Sequence, residues 1–137
     1  MYSKYERLIK GSISNKRRIQ VRVDDSVARV IDGQPQMIRR SKGYAPVPLY
    51  VNTDFDGQIL AVGGQLKNSF ALTKGPFVYM SQYFGDMDSV ENQRIYEEQI
   101  DRMGGLFRIQ PQLAVCDLHP LYYTTAYGEK TGLPLLR

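Results

Sequence analysis

Three short segments place polar and charged side chains beside glycines or directly after an apolar run. The first is Gly63-Gly64-Gln65-Leu66-Lys67-Asn68-Ser69. Glycines let a backbone approach a phosphate closely, and Lys67 would neutralise its charge. The pattern is not a Walker loop, and a plain tight turn accounts for it equally well. The second is Ser81-Gln82-Tyr83-Phe84-Gly85-Asp86. Here the Asp86 carboxylate could hold a metal or a hydroxyl, or simply tether a loop. The third is Asp117-Leu118-His119-Pro120, directly after the apolar run Leu113-Ala114-Val115-Cys116. Ligands in open α/β sheets bind beyond the carboxyl ends of strands, which favours a functional Asp117 and His119. A lone histidine is more often structural than catalytic. Tyr122, Thr124, Thr125 and Tyr127 continue this segment with hydroxyl groups.

Charge adds a fourth feature. Residues 1–46 carry eleven Lys and Arg against four Asp and Glu, a balance of +7, and residues 47–137 carry seven against ten, a balance of −3. Lys16-Arg17-Arg18 and Arg39-Arg40-Ser41-Lys42 could bind a phosphate or nucleic acid, or form a solvated face or one covered by an acidic neighbour. A single cysteine makes no internal disulfide and suits a reducing cytoplasm. One histidine and one cysteine do not supply the usual zinc ligand set. No apolar run reaches the length of a membrane helix or a secretory signal.

The elements that must position these segments follow from periodicity. Residues 1–15 are polar, with at most a short helical turn. Ile19–Val23 alternates like a half-buried strand. Val27–Ile31 and Met37–Arg39 flank Asp32-Gly33, a hairpin signal, and Pro35 predicts that the return strand starts late or lies at an edge. Residues 47–57 read as a linker. Ile59–Val62, Ser69–Thr73 and Phe77–Met80, joined by short turns, predict an antiparallel meander. A helix should follow, capped by Asp88 with Glu91 three residues on. Its apolar face is Tyr96, Ile100, Met103 and Phe107, and Gly104-Gly105 should weaken its last turn. Leu113–Cys116 predicts a buried strand, with Cys116 as core filler.

Several of these segments recur together, in order, in one family. Asp24-Asp25-Ser26-Val27, Arg39-Arg40-Ser41-Lys42-Gly43-Tyr44-Ala45-Pro46 and Leu60-Ala61-Val62-Gly63-Gly64-Gln65-Leu66-Lys67-Asn68 carry the match. So do Ser81-Gln82 with Gly85-Asp86, and Asp117-Leu118-His119-Pro120 with Tyr122, Thr124 and Thr125. The chain resembles, from about residue 15 to 128, a central piece of the carbamoyltransferase that matures NiFe hydrogenases, the HypF family.

The resemblance implies a mixed α/β fold. Residues 1–46 would be the C-terminal part of a YrdC-like domain, and residues 58–137 the opening meander, helix and strand of a sugar-kinase or actin-like (RNase H-like) transferase domain. It implies a reaction in which carbamoyl phosphate and ATP give carbamoyl-adenylate, and the carbamoyl group passes to the C-terminal cysteine of a partner, HypE. In an actin-like fold the turn between the first two strands faces nucleotide phosphate. Gly63, Gly64, Lys67 and Asn68 thereby become candidate nucleotide contacts, with Arg39 and Arg40 as further cofactor-binding candidates. Asp86, Asp117 and His119 become the catalytic candidates lining the same cleft. ATP and carbamoyl phosphate are the implied cofactors, and the cytoplasm is the implied location.

The sequence also departs from the family. Gln65 stands where a glutamate is usual and Tyr83 where a histidine is usual, while a His-Asn-Arg run reads Asn15-Lys16-Arg17. The family's zinc-finger cysteines and His-rich metal motif have no counterpart in these residues. The expectation is a piece that is inactive alone. The alternatives are an inactive remnant or interaction module, which Gln65 and Tyr83 favour, and a basic nucleic-acid-binding domain, which the scarcity of aromatics among residues 16–42 disfavours.

Overall fold

The computed structural model describes Ile19 and residues 21–137. The expected helical turn in residues 1–15 and the run Lys16-Arg17-Arg18 lie outside the described residues.

Asp32 and Gly33 have φ of 50° and 73°, the backbone hand that a two-residue hairpin requires. They join β1 (Val27–Ile31) to β2 (Gln34–Arg39) in a two-stranded antiparallel sheet. Pro35 faces Val30 in the register. The residues flanking a two-residue turn form the hydrogen-bonded pair, so the next pair is non-hydrogen-bonded and needs no proline N–H. The proline therefore lies on an edge without delaying the strand. The alternating segment around Ile19–Val23 forms no strand among its described residues: Ile19 is 72% exposed, and the Arg22 side chain pairs with Glu91 instead. Alternation specifies a strand only where one face has something to cover.

The second sheet has six strands: β3 (Leu49–Tyr50), β4 (Ile59–Ala61), β5 (Ala71–Lys74), β6 (Phe77–Met80), β7 (Leu113–Val115) and β8 (Leu135–Leu136). Their order is β3-β6-β5-β4-β7-β8. β4, β5 and β6 form the antiparallel meander. β7 then pairs parallel to β4, and β8 parallel to β7, after helices α1 (Val90–Phe107) and α2 (Tyr123–Lys130). This is the mixed α/β arrangement expected, with a meander running into parallel strands as an actin-like domain opens. β3 falls within residues 47–57 and is hydrogen-bonded to β6. Neither α2 nor β8 is evident in the sequence: Thr124, Thr125 and Gly128 are poor helix formers, and two strand residues carry no period.

The N-cap of α1 lies one residue later than expected. Ser89, with φ −91° and ψ 126°, accepts the Asn92 N–H at its hydroxyl, 3.4 Å away. Asp88 is thereby released for another contact. The helix continues through Gly104-Gly105 because its end is held from outside. The Lys74 ammonium donates to the Phe107 and Arg108 carbonyls at 3.2 Å each, and the Ile109 N–H returns to the Gly104 carbonyl at 2.8 Å. Tyr96, Ile100 and Met103 of α1 are buried with Leu60, Val62, Phe70, Leu72 and Cys116, and Phe107 packs at the margin against Tyr79. Cys116 is core, as expected.

Candidate functional site

Because β4 and β7 are parallel, with Ala61 opposite Val115, the Gly63 turn and the Asp117 segment leave the sheet at the same carboxyl end. Gly63 has φ +73°, and a Cβ there would stand 2.3 Å from the Ser69 carbonyl oxygen. Only glycine fits. Beneath the turn, the Val62 carbonyl accepts from the Asn68 side-chain amide at 3.1 Å and from the Tyr96 hydroxyl at 2.9 Å. The same Asn68 amide donates to the Gly64 carbonyl at 2.6 Å. Asn68 is buried, so it shapes the turn from below. Burial, reinforced by Tyr127, Tyr123 and Glu97, pushes the Tyr96 hydroxyl well above the ordinary phenol range and keeps it a donor.

Asp86 holds the turn from the side. Its carboxylate accepts the Lys67 N–H at 2.9 Å, where Lys67 takes a left-handed conformation with φ 51°. The Asp86 carbonyl in turn accepts from the Asn92 side chain at 3.0 Å. In the third segment, the Asp117 carboxylate accepts the His119 N–H at 3.1 Å. His119 Nδ1 accepts the Leu121 N–H at 3.3 Å, and its ring stacks on Tyr122 with centroids 4.3 Å apart. An accepting Nδ1 leaves Nε2 to carry the proton of the neutral ring.

A cleft of about 500 Å³ opens between the hairpin and the meander. Arg39 and Arg40 line it from one side, Lys67, Ser69 and Tyr83 from the other, and Met37 and Met80 contribute apolar walls. The Arg39 guanidinium lies over the Tyr83 ring, 4.6 Å from its centroid. Arg40 donates from Nη2 to the Val47 carbonyl at 3.0 Å, while its buried Nε has no partner. Among the described residues, none of these three cations pairs with a carboxylate. Three like charges around one cavity repel each other, and an anion between them would relieve that repulsion.

The structure thus places Arg39, Arg40 and Lys67 on one cleft. Gly63, Gly64, Asn68, Asp86, Asp117 and His119 stand at the carboxyl end of the parallel strands and do not line that cleft. Lys67 belongs to both groups. Ser69 and Tyr83 are cleft residues that sequence reasoning missed; their positions within the two turn clusters are the available signal. No group of three or more His, Cys, Asp or Glu among the described residues could hold a metal ion.

The comparisons with known proteins agree with this architecture. Residues 54–137 match the family model described as the HypF Kae1-like domain. The carbamoyltransferase HypF of Synechocystis sp. is 35% identical over 133 residues, covering 97% of this chain and 17% of that protein. That of Rhizobium leguminosarum bv. viciae is 36% identical over 124 residues, covering 90% of this chain and 16% of its own. The crystal structure of full-length HypF in its phosphate- and nucleotide-bound form superposes with a TM-score of 0.84 and 40% identity, over 90% of this chain and 20% of that one. T. kodakarensis HypF gives 0.74 and 35%, over 85% and 16%. The chain therefore spans about a sixth of the length of the relatives it matches. With the family model covering most of the chain and the turn, cleft and strand order in place, the chain belongs to the HypF carbamoyltransferase family.

Proposed function

We propose that this chain supplies the junction at which a HypF carbamoyltransferase holds its phosphate-bearing nucleotide. On this reading residues 1–46 belong to the YrdC-like part and residues 58–137 to the actin-like part. The observation that carries it is the convergence of Arg39 and Arg40 from one part, and Lys67 and Ser69 from the other, on one cleft. Guanidinium and ammonium groups there neutralise phosphate oxygens, and Met37 and Met80 offer an apolar wall to a base or ribose. A phosphate- and nucleotide-bound relative of the same architecture supports the assignment. The reaction is carbamoyl transfer: carbamoyl phosphate is hydrolysed to carbamate and phosphate, carbamate attacks the α-phosphorus of ATP to give carbamoyl-adenylate and pyrophosphate, and the C-terminal cysteine thiolate of HypE takes the carbamoyl group as AMP leaves. On this reading Asp86 and Asp117 act as braces, each holding a neighbour's backbone N–H, and His119 is the candidate for carrying a transferring proton.

Titration of a fluorescent ATP analogue tests the cleft. Lys67→Ala and Arg39→Ala should each weaken binding about tenfold, the effect of losing one charge-assisted phosphate contact. Identical binding by wild type and both variants would put the nucleotide elsewhere.

A further inference from the structure

We propose that Gln65 is a positioning residue, whose single side-chain amide locks the glycine turn to the N-termini of both helices. Its Nε2 donates to Asp88 Oδ1 at 2.8 Å, immediately before the α1 cap Ser89. Its Oε1 accepts the Tyr123 N–H at 2.9 Å. Its own carbonyl accepts the Met87 N–H at 2.9 Å.

The Tyr123 bond matters because α2 has no local cap. Tyr122 stands at its N-cap and makes no side-chain capping bond. The first N–H groups of a helix have no partner within it and need one elsewhere. Gln65 supplies that partner from 58 residues away in sequence. Tyr122 is also the residue on which His119 stacks. Capping α2 at Tyr123 therefore fixes the end of the 117–122 segment relative to the Gly63-Gly64 turn. The 117–122 segment and the turn are thus held at one spacing by one amide.

The amide suits the two partners that this chain sets against it. It must donate to a carboxylate on one side and accept an N–H on the other, and Asn and Gln do both from two separate atoms without titrating. Asn is one methylene shorter. A glutamate could accept from Tyr123, but it would set a second carboxylate against Asp88. Exchanging the partners should then repair the damage: an amide introduced at position 88 donates to the carboxylate introduced at position 65, which still accepts from Tyr123.

This inference rests on the cleft reading only for its consequence in transfer, and its test uses no ligand. Amide hydrogen exchange and histidine ring resonances are followed in the full chain. Gln65→Met should speed exchange of the Tyr123 N–H about tenfold, as expected for one lost hydrogen bond, and shift the His119 ring protons off their Tyr122-stacked position. The Ile109 N–H, at the far end of α1, should keep its protection. Gln65→Glu should lower the thermal midpoint, Asp88→Asn should change it little, and the double variant should recover it. Should Gln65→Glu not fold, the double variant still should. Unchanged Tyr123 exchange and His119 shifts in Gln65→Met, or a double variant no better than Gln65→Glu, would overturn the proposal. A wild type that binds no ATP analogue would count against the cleft and leave this result standing.

Discussion

The hairpin and the six-stranded sheet are stabilised on different terms. Every residue of β1 is exposed, and in β2 only Arg39 is partly covered. In the larger sheet, Leu60, Leu72 and Ala114 lie side by side in the register and are all buried beneath α1. The hairpin is held by its Asp32-Gly33 turn and a few polar ties, such as the Ser26 hydroxyl, which accepts the Ser41 N–H and donates to the Lys42 carbonyl at 2.9 Å each. A region that contributes little to the core leaves its side chains available. That is how Arg39 and Arg40 face a cleft while the sheet beside them is committed to packing.

The largest expected effect tests that division directly. Phe70 is buried between Phe84 and Tyr96, at centroid distances of 5.8 and 5.6 Å. Phe70→Ala should lower the unfolding free energy by about 3–5 kcal/mol, for the lost burial and the cavity. Val30→Ala, at a position 71% exposed in β1, should stay within about 0.5 kcal/mol. Urea unfolding measures both. Comparable costs would mean that the hairpin belongs to the same packed unit.

Two glycines sharpen the comparison next, because Gly33 and Gly63 have the same φ of +73°. Around Gly33 nothing lies within 4 Å of an added Cβ, whereas around Gly63 the Ser69 carbonyl stands at 2.3 Å. Gly33→Ala should cost only the left-handed strain, about 1–2 kcal/mol. Gly63→Ala should add an overpacking cost of about 1–3 kcal/mol to the same strain. The difference isolates how tightly the turn is built. Equal losses would show that the turn can open to admit a methyl group, and with it the claim of a tightly built turn would fall.

The same contrast explains what was legible in the sequence. The Asp32-Gly33 hairpin, the meander and α1 were readable because turn chemistry and periodicity are local. The strand expected over Ile19–Val23 does not form among its described residues, since alternation says nothing about whether a partner face exists. The α1 cap shifted from Asp88 to Ser89 for a tertiary reason: Asp88 is taken by Gln65, from a turn 23 residues earlier. α2 was illegible for the same kind of reason, its first N–H being satisfied by that distant glutamine. At the site, the glycine turn and the Asp117 segment announced themselves by residue type. Their separation from the cleft that gathers Arg39, Arg40 and Lys67 depends on how the hairpin lies against the meander, which no local pattern encodes.

The smallest effect is a pH dependence confined to the sheet region, since the hairpin strands contain no tyrosine. Tyr127 packs edge-on against Tyr96 at 5.4 Å. Burial, with Asp101 and Glu97 adding their charges, pushes its hydroxyl up to about 12. An unfolded tyrosine titrates near 10. The folded chain therefore binds this proton more tightly than the unfolded chain does. The contribution is fully present below about pH 10, declines as pH rises from there, and is gone above about 12. In Tyr127→Phe no proton can leave. The unfolding free energies of wild type and Tyr127→Phe should thus differ by a constant amount up to about pH 10, after which wild type should fall relative to the variant. Tyr96 and Tyr123 are also held above the ordinary range, chiefly by burial that both chains share; Tyr127 adds a smaller share to each, so their part in the difference is small beside that of Tyr127 itself. Curves that stay parallel through pH 12 would show that Tyr127 is hydrated in solution and that this side of the core is looser than its packing against Tyr96 implies.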